Sequence, residues 1–232
     1  MQRPDNIQSV LQYGSCVRLA VICQVIRLTV SVHPYSTLFL SEFRELREKY
    51  DFFQLCQDPE LATQVTLQPI DRYPDLIDAA IIFSDILVIP QAMGMEVLMK
   101  PGPVFTKPLD GPEDVQTLQT DRVAERLQYV YDAITLTRKR LAGRVPLIGF
   151  CGSPWTLMSY MIEGGASKTL QKSKTWLFKY PDQSKALLQL ITTACIDFLV
   201  GQVEAGAQVH PPSFLLPCLS PLNFVCLASP SV

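Results

Sequence analysis

Histidine is nearly absent from this 232-residue chain, which holds only His33 and His210. Neither has a carboxylate or cysteine partner at ligand spacing, so no metal site and no histidine-based catalytic triad is expected. Paired cysteines are lacking as well: the seven cysteines are scattered, and no C-x-x-C occurs. That argues against a zinc ribbon or a disulfide framework and for buried thiols in a reducing compartment. A basic surplus is missing, with 20 Lys and Arg against 22 Asp and Glu, so nucleic acid is not an expected partner. The longest uninterrupted-looking apolar stretch, LAVICQVIRLTVSV (19–32), contains Gln24 and Arg27 and is shorter than a bilayer span. No secretory signal pattern precedes it. The expectation is a cytosolic chain with no membrane segment.

Charge is scarce too, at 18% of residues against the usual figure of about 25%. The shortage is concentrated at the ends. Leu28 to Ser41 contains no Asp, Glu, Lys or Arg, and neither does the stretch from Val209 to Val232, which holds five Pro, four Ser and five Leu. Three segments are therefore expected: an atypical 1–40, a folded 41–208, and an uncharged tail, 209–232.

Between those ends the pattern is that of an α/β fold. Ser41 reads as the N-cap of a short charged helix, EFRELREKY, and Asp58-Pro59 as cap and first-turn proline of a second. The block DAAIIFSDILVIP supplies an apolar run of strand length ending in Ser84 and Asp85. Val123, Leu127, Val130, Ile134, Thr137 and Leu141 form one stripe of a single helix expected over 121–141, stopped by Gly143. Its Arg138, Lys139 and Arg140 read as a solvated helix end. VPLIGF (145–150) is a second buried strand, and it enters the small-residue turn Cys151-Gly152-Ser153-Pro154. A Lys-rich helical region and a long apolar helix, about 183–205, follow. Strand, helix, strand, helix implies parallel strands.

Few residues stand out as chemistry. Asp85 lies at the C-terminal end of an apolar strand, where parallel folds place their active sites. From position alone, a turn-capping role for Asp85 is the more economical reading. In GFCGSPWTLMSYMIEGG (149–165), Gly149 and Gly152 permit close backbone approach to a ligand, while Phe150, Trp155 and Tyr160 suit an apolar wall with a phenolic tip. Core packing at a loop–helix junction explains the same residues. EGGASKT lacks the glycine spacing of a phosphate loop. Arg44 and Arg47, three apart on the first helix, have the fork geometry that suits substrate carboxylates, although surface arginines are more often simply solvated.

DAAIIFSDILVIPQAMGMEV (78–97) together with GRVPLIGFCGSPWTLMSYMIEGG (143–165) closely resembles the uroporphyrinogen decarboxylase family, in its vertebrate form. EFRELR, TLQPIDRYP, YDAITLTRKRLAG and FLVGQVEAGAQ follow the family in order, so the resemblance runs over about 42–208. It implies a (β/α)8 TIM barrel, of which this chain would be an incomplete first half, in a cytosolic homodimer. The implied reaction converts the four acetate groups of uroporphyrinogen to methyls, giving coproporphyrinogen for haem synthesis, without metal or cofactor. By that resemblance Asp85 is the catalytic carboxylate and Tyr160 and Arg47 bind substrate. Phe150, Gly152 and Met93 are candidate pocket walls.

Two departures accompany the resemblance. HPYSTLFLS (33–41) stands where the family carries a motif with two substrate-binding arginines, and the family pattern ends at Gln208. The pyrimidine-rich codon bias of both ends suggests intron-derived sequence in a truncated transcript or gene-model product. The resulting expectation is little or no activity, with a non-catalytic product that at most pairs with a full-length subunit as the alternative. A corrinoid-dependent methyltransferase, which shares the barrel, is discounted because its zinc-binding His/Cys set is missing.

Overall fold

The structure is a computed structural model that describes residues 40–99 and 102–208. Residues 1–39 of the expected segment 1–40 and the whole expected tail, 209–232, with His33, His210 and four of the cysteines, lie outside the described residues. Three helices open the fold: α1 (Ser41–Lys49), α2 (Phe52–Gln57) and α3 (Pro59–Arg72). Asp58 caps α3 as its sequence implies, accepting from the Glu60 and Leu61 amides at 2.8 and 3.0 Å, with Pro59 in the first turn. Asp51 and Gln54 form a reciprocal capping box on α2. Ser41 is not the cap of α1. It is the first helical residue, Leu40 precedes it as N-cap, and the Ser41 hydroxyl bonds Glu42 instead. Leu40 wins because it must be buried beside Phe43 and Leu46, and that fixes where the helix begins.

The apolar block after α3 forms β1 (Ala80–Ile81), then the loop bearing Asp85, then the short helix α4 (Val88–Ala92). A hairpin follows, β2 (Val97–Met99) paired antiparallel with β3 (Pro103–Phe105). After a 3-10 turn at Pro112–Thr117 come α5 (Val123–Arg126), α6 (Gln128–Leu141) and β4 (Leu147–Ile148). The helix expected over 121–141 is thus two. Its whole apolar stripe is buried as its period implies, but Leu127 leaves helical geometry. Arg126 donates to the Ala92 carbonyl at 2.8 Å and to Gln119 at 3.3 Å, which ties the first turn to the end of α4. The basic end of α6 is also more than solvated: Arg140 pairs with Glu60 of α3 at 2.6 Å, and Arg144 just beyond pairs with Asp71 at 2.7 Å.

β1 and β4 pair in parallel, Ala80 with Leu147 and Ile81 with Ile148. The ladder includes bonds from the Ala80 amide to the Pro146 carbonyl and from the Ile82 amide to the Ile148 carbonyl, at 2.9 and 3.0 Å. The small-residue turn leads into α7 (Pro154–Glu163), which is followed by α8 (Gln171–Lys179) and α9 (Pro181–Glu204). Ser153 caps α7, and Gly164 ends it at φ +85°, where a side chain would be strained. The hairpin is fastened to this end by bonds from the Phe105 amide to the Gly164 carbonyl and from the Leu109 amide to the Met161 carbonyl, both 2.8 Å.

Among described helices, α9 is long and apolar enough to cross a membrane. It turns Leu187, Ile191, Ala194, Cys195 and Phe198 into the main core. Beyond it the chain returns to β4: the Gln208 amide donates to the Leu147 carbonyl at 2.8 Å, and the Leu147 amide donates to the Gln208 side chain at 3.1 Å. β4 is therefore flanked on both sides, by β1 and by Gln208. One large core joins α3–α9, and a smaller cluster under α1 gathers Leu40, Phe43, Leu46, Leu55 and Val65.

Candidate active site

The C-terminal ends of β1 and β4 lie side by side because the strands are parallel neighbours. Asp85 follows β1. Its loop is held from behind by Thr66 of α3, whose hydroxyl accepts from the Phe83 amide at 2.9 Å and donates to the Ala62 carbonyl at 2.7 Å. The Asp85 carboxyl is pushed above the ordinary carboxylate range by burial, while the backbone amides of Leu87 and Ile86 pull the other way. α4 begins without a side-chain cap, and Asp85 Oδ2 is buried without a hydrogen-bond partner among the described residues, as is Ser84 Oγ beside it. A desolvated acceptor left open in this way is costly unless a ligand or solvent completes it.

Gly152, after β4, meets this loop directly. A Cβ there would lie 2.6 Å from a Leu157 methyl and 3.4 Å from the Ile86 carbonyl oxygen, so glycine lets the two strand ends approach. Tyr160 on α7 is half-buried, and its phenol is raised by burial and then by the Asp85 charge, which keeps it a neutral hydroxyl. Phe150 is half-buried against the main core, and its carbonyl accepts from Gln202 at 2.9 Å. Met93 is fully buried at the end of α4, among core residues, and lines a cleft of about 150 Å³ with Leu109 and Leu118 on the hairpin side. Arg47 lies on α1, donating to the Tyr50 carbonyl at 3.1 Å with its guanidinium 6.0 Å from the Phe52 ring centre. Arg44 is exposed on the same helix.

Two groups near Asp85 had not been singled out in the sequence. Tyr129 of α6 and Cys56 of α2 are both raised by burial and then by charged neighbours that include Asp85. Arg47 acts on Cys56 in the opposite sense. Burial thus holds Tyr129, Cys56 and Tyr160 un-ionised, and the Asp85 charge acts on each in the same sense. Tyr129 sits beside, not on, the apolar stripe of α6, and spacing alone does not reveal that it reaches the β1 end. Among the described residues no cluster of His, Cys, Asp and Glu could hold a metal ion. The arrangement can accept N–H or cationic donors at Asp85 and donate from Tyr160.

The family profile described as "Uroporphyrinogen decarboxylase (URO-D)" matches residues 27–211. Uroporphyrinogen decarboxylase of Schizosaccharomyces pombe is 56% identical over 174 residues, 74% of this chain and 48% of its own length. The protein of the same name from Danio rerio is 55% identical over 190 residues, 80% of this chain and 51% of its own. That from Homo sapiens is 57% identical over 173 residues, 73% of this chain and 47% of its own. The chain therefore spans about half the length of the curated relatives it matches. Among solved structures, a methyltransferase from Methanosarcina mazei aligns with a TM-score of 0.55 at 25% identity, over 66% of this chain and 45% of that one.

Proposed function

The chain belongs to the uroporphyrinogen decarboxylase family, and on that premise we propose that Asp85 is the central carboxylate of a site that decarboxylates uroporphyrinogen. In this reading the described residues form the first part of a (β/α)8 barrel, with β1 and β4 as neighbouring strands. Residues 41–208 are the family domain, the setting is the cytosol, and the family assembly is a homodimer.

The chemistry needs an electron sink, and the substrate's own pyrrole provides it. Protonation of a ring carbon makes a cation. The bond from the acetate methylene to its carboxylate then breaks, its electron pair flows into the ring, and carbon dioxide leaves. A proton then adds to the methylene carbon to make the methyl group, and the ring carbon gives up the proton it gained, which restores the neutral pyrrole. An anion that accepts the pyrrole N–H bonds stabilises the cationic stage more than the ground state, which is where a rate gain arises. The observation that carries this reading is the open, buried Oδ2 of Asp85. Pyrrole N–H donors complete its bonding and favour its ionised form. Tyr160 donates to the substrate as a neutral phenol, and Arg47 offers a cation to the substrate's carboxylates. Gly152, Phe150 and Met93 remain the proposed walls, with Gly152 best supported by its contact with Ile86.

The chain alone is proposed to turn over little substrate, because HPYSTLFLS stands where the family's arginine-bearing motif lies. An anaerobic assay separating products by carboxylate number tests this, and turnover approaching that of a full-length family enzyme overturns it. Titration of the chain with coproporphyrinogen, followed by tryptophan fluorescence, tests Asp85 separately. Asp85→Asn is expected to weaken binding at least tenfold, since a hydrogen bond to a charged group contributes about 1.5–3 kcal/mol. Equal affinity in both proteins would remove Asp85 from the site.

A further inference from the structure

Cys151, after β4, and Cys195, on α9, converge on one backbone atom. The Cys151 thiol donates to the Gly152 carbonyl at 3.2 Å and the Cys195 thiol donates to the same oxygen at 3.6 Å. Both residues are buried. Cys56, the other described cysteine, is buried on α2. The shared acceptor belongs to the residue whose Cα packs against Leu157 and the Ile86 carbonyl, one position from Asp85.

We propose that Cys151 and Cys195 are a peroxide-driven, reversible disulfide site that links oxidation to the loop carrying Asp85. One thiol sulfur attacks hydrogen peroxide, which gives a sulfenic acid and one water. The second sulfur then displaces the hydroxyl, forming the S–S bond and a second water. Two thiols lose two hydrogens and two electrons, and the peroxide takes both. A dithiol reductant reverses the step. Burial excludes bulky disulfide oxidants but admits a molecule the size of peroxide. The neighbouring Cys195 side chain and burial also keep Cys151 un-ionised, so the reaction is slow, because the thiolate is the nucleophile. The adjacent partner captures the sulfenic acid before it can oxidise further. Oxidation removes both S–H donors, so the Gly152 carbonyl is left buried without a partner and its loop must shift. That shift reaches Ile86.

The test is a disulfide map of the purified full chain, before and after hydrogen peroxide. Trypsin with a Glu-specific protease cuts after Glu204 and separates Cys195 from Cys218 and Cys226. The expected product is a cross-linked peptide pair containing Cys151 and Cys195, two hydrogens lighter and released by dithiothreitol. In Cys151→Ala and Cys195→Ala the pair is absent. Should either variant fail to fold, the map of the unaltered chain still decides. Recovery of both cysteines as free thiols while Cys56 is oxidised overturns the proposal, as does Cys195 bonded to Cys218 or Cys226. The cross-link stands independently of the reading of Asp85, whereas its regulatory meaning rests on it. Oxidised chain is expected to bind coproporphyrinogen several-fold more weakly than reduced chain. Unchanged affinity in a chain whose unoxidised form responds to Asp85→Asn would overturn the regulatory link alone.

Discussion

The two parallel strands end in opposite kinds of loop. After β1 the chain carries Ser84 and Asp85, polar groups with buried, open oxygens, and enters α4 with no side-chain cap. After β4 it carries Cys151, Gly152 and Ser153, small residues whose thiol, carbonyl and hydroxyl respectively are hydrogen-bonded, and enters a helix capped by Ser153. One strand end holds a carboxylate at an energetic cost, and its neighbour is packed tightly enough to keep that carboxylate in place. A site with one unsatisfied group needs rigid, satisfied surroundings, because a looser neighbour would let the carboxylate turn toward solvent.

The contrast can be broken by emptying the firm side. Leu147→Ala removes a fully buried side chain from β4 and is expected to cost about 2–5 kcal/mol of stability, read by urea unfolding. A loss below that range would mean that β4 is not the anchor. Gly152→Val crowds a Leu157 methyl and the Ile86 carbonyl, with an expected cost of about 1–3 kcal/mol and a change at both loops. An isotope-exchange profile that changes around Gly152 but not around Ile86 would show that the loops are not coupled.

Thr66→Val tests the support of the Asp85 side. It strips the acceptor from the Phe83 amide, with an expected cost of about 1–3 kcal/mol and faster amide exchange at Phe83. Ser153→Ala removes the cap that α4 lacks and α7 has. The expected cost is about 1 kcal/mol, seen as a lowered thermal midpoint.

The smallest effect is on pH dependence. Burial raises Asp85 above its ordinary value of 3.8, so the folded chain keeps a proton that the unfolded chain has already lost. Stability attributable to this group therefore falls as pH rises from the ordinary value through the raised one. Asp85→Asn should flatten that fall and leave the protein relatively more stable at neutral pH. A variant whose stability profile parallels that of the parent would show that Asp85 is not desolvated.

Much of the helical framework was legible in the residues. The stripe from Val123 to Leu141 is buried throughout, Asp58 caps α3, and α9 lies close to its expected bounds. The failures have local causes of long-range origin. Arg126 reaches a carbonyl 34 residues away and breaks the stripe into two helices, and Leu40 takes the place expected of Ser41 because the small core claims it. At the site, Asp85 and Gly152 were marked by their places at strand ends. Tyr129, Cys56 and Thr66 were not, since nothing in their own neighbourhoods announces proximity to Asp85.

The sequence by itself determined the longer helices, the two apolar strands, the family, and the position of Asp85 beyond the first of those strands. Periodicity, capping residues and motif order are properties of neighbours along the chain, so they survive without a structure. Only the tertiary structure decided that Thr66 holds the Asp85 loop, that Gly152 lies against Ile86, and that Cys151 and Cys195 share one carbonyl. Thr66 and Phe83 are 17 positions apart, Cys151 and Cys195 are 44, and Ile86 and Gly152 are 66. Side-chain period records which face of an element is apolar, but the partner that covers the face is chosen by packing across the whole core.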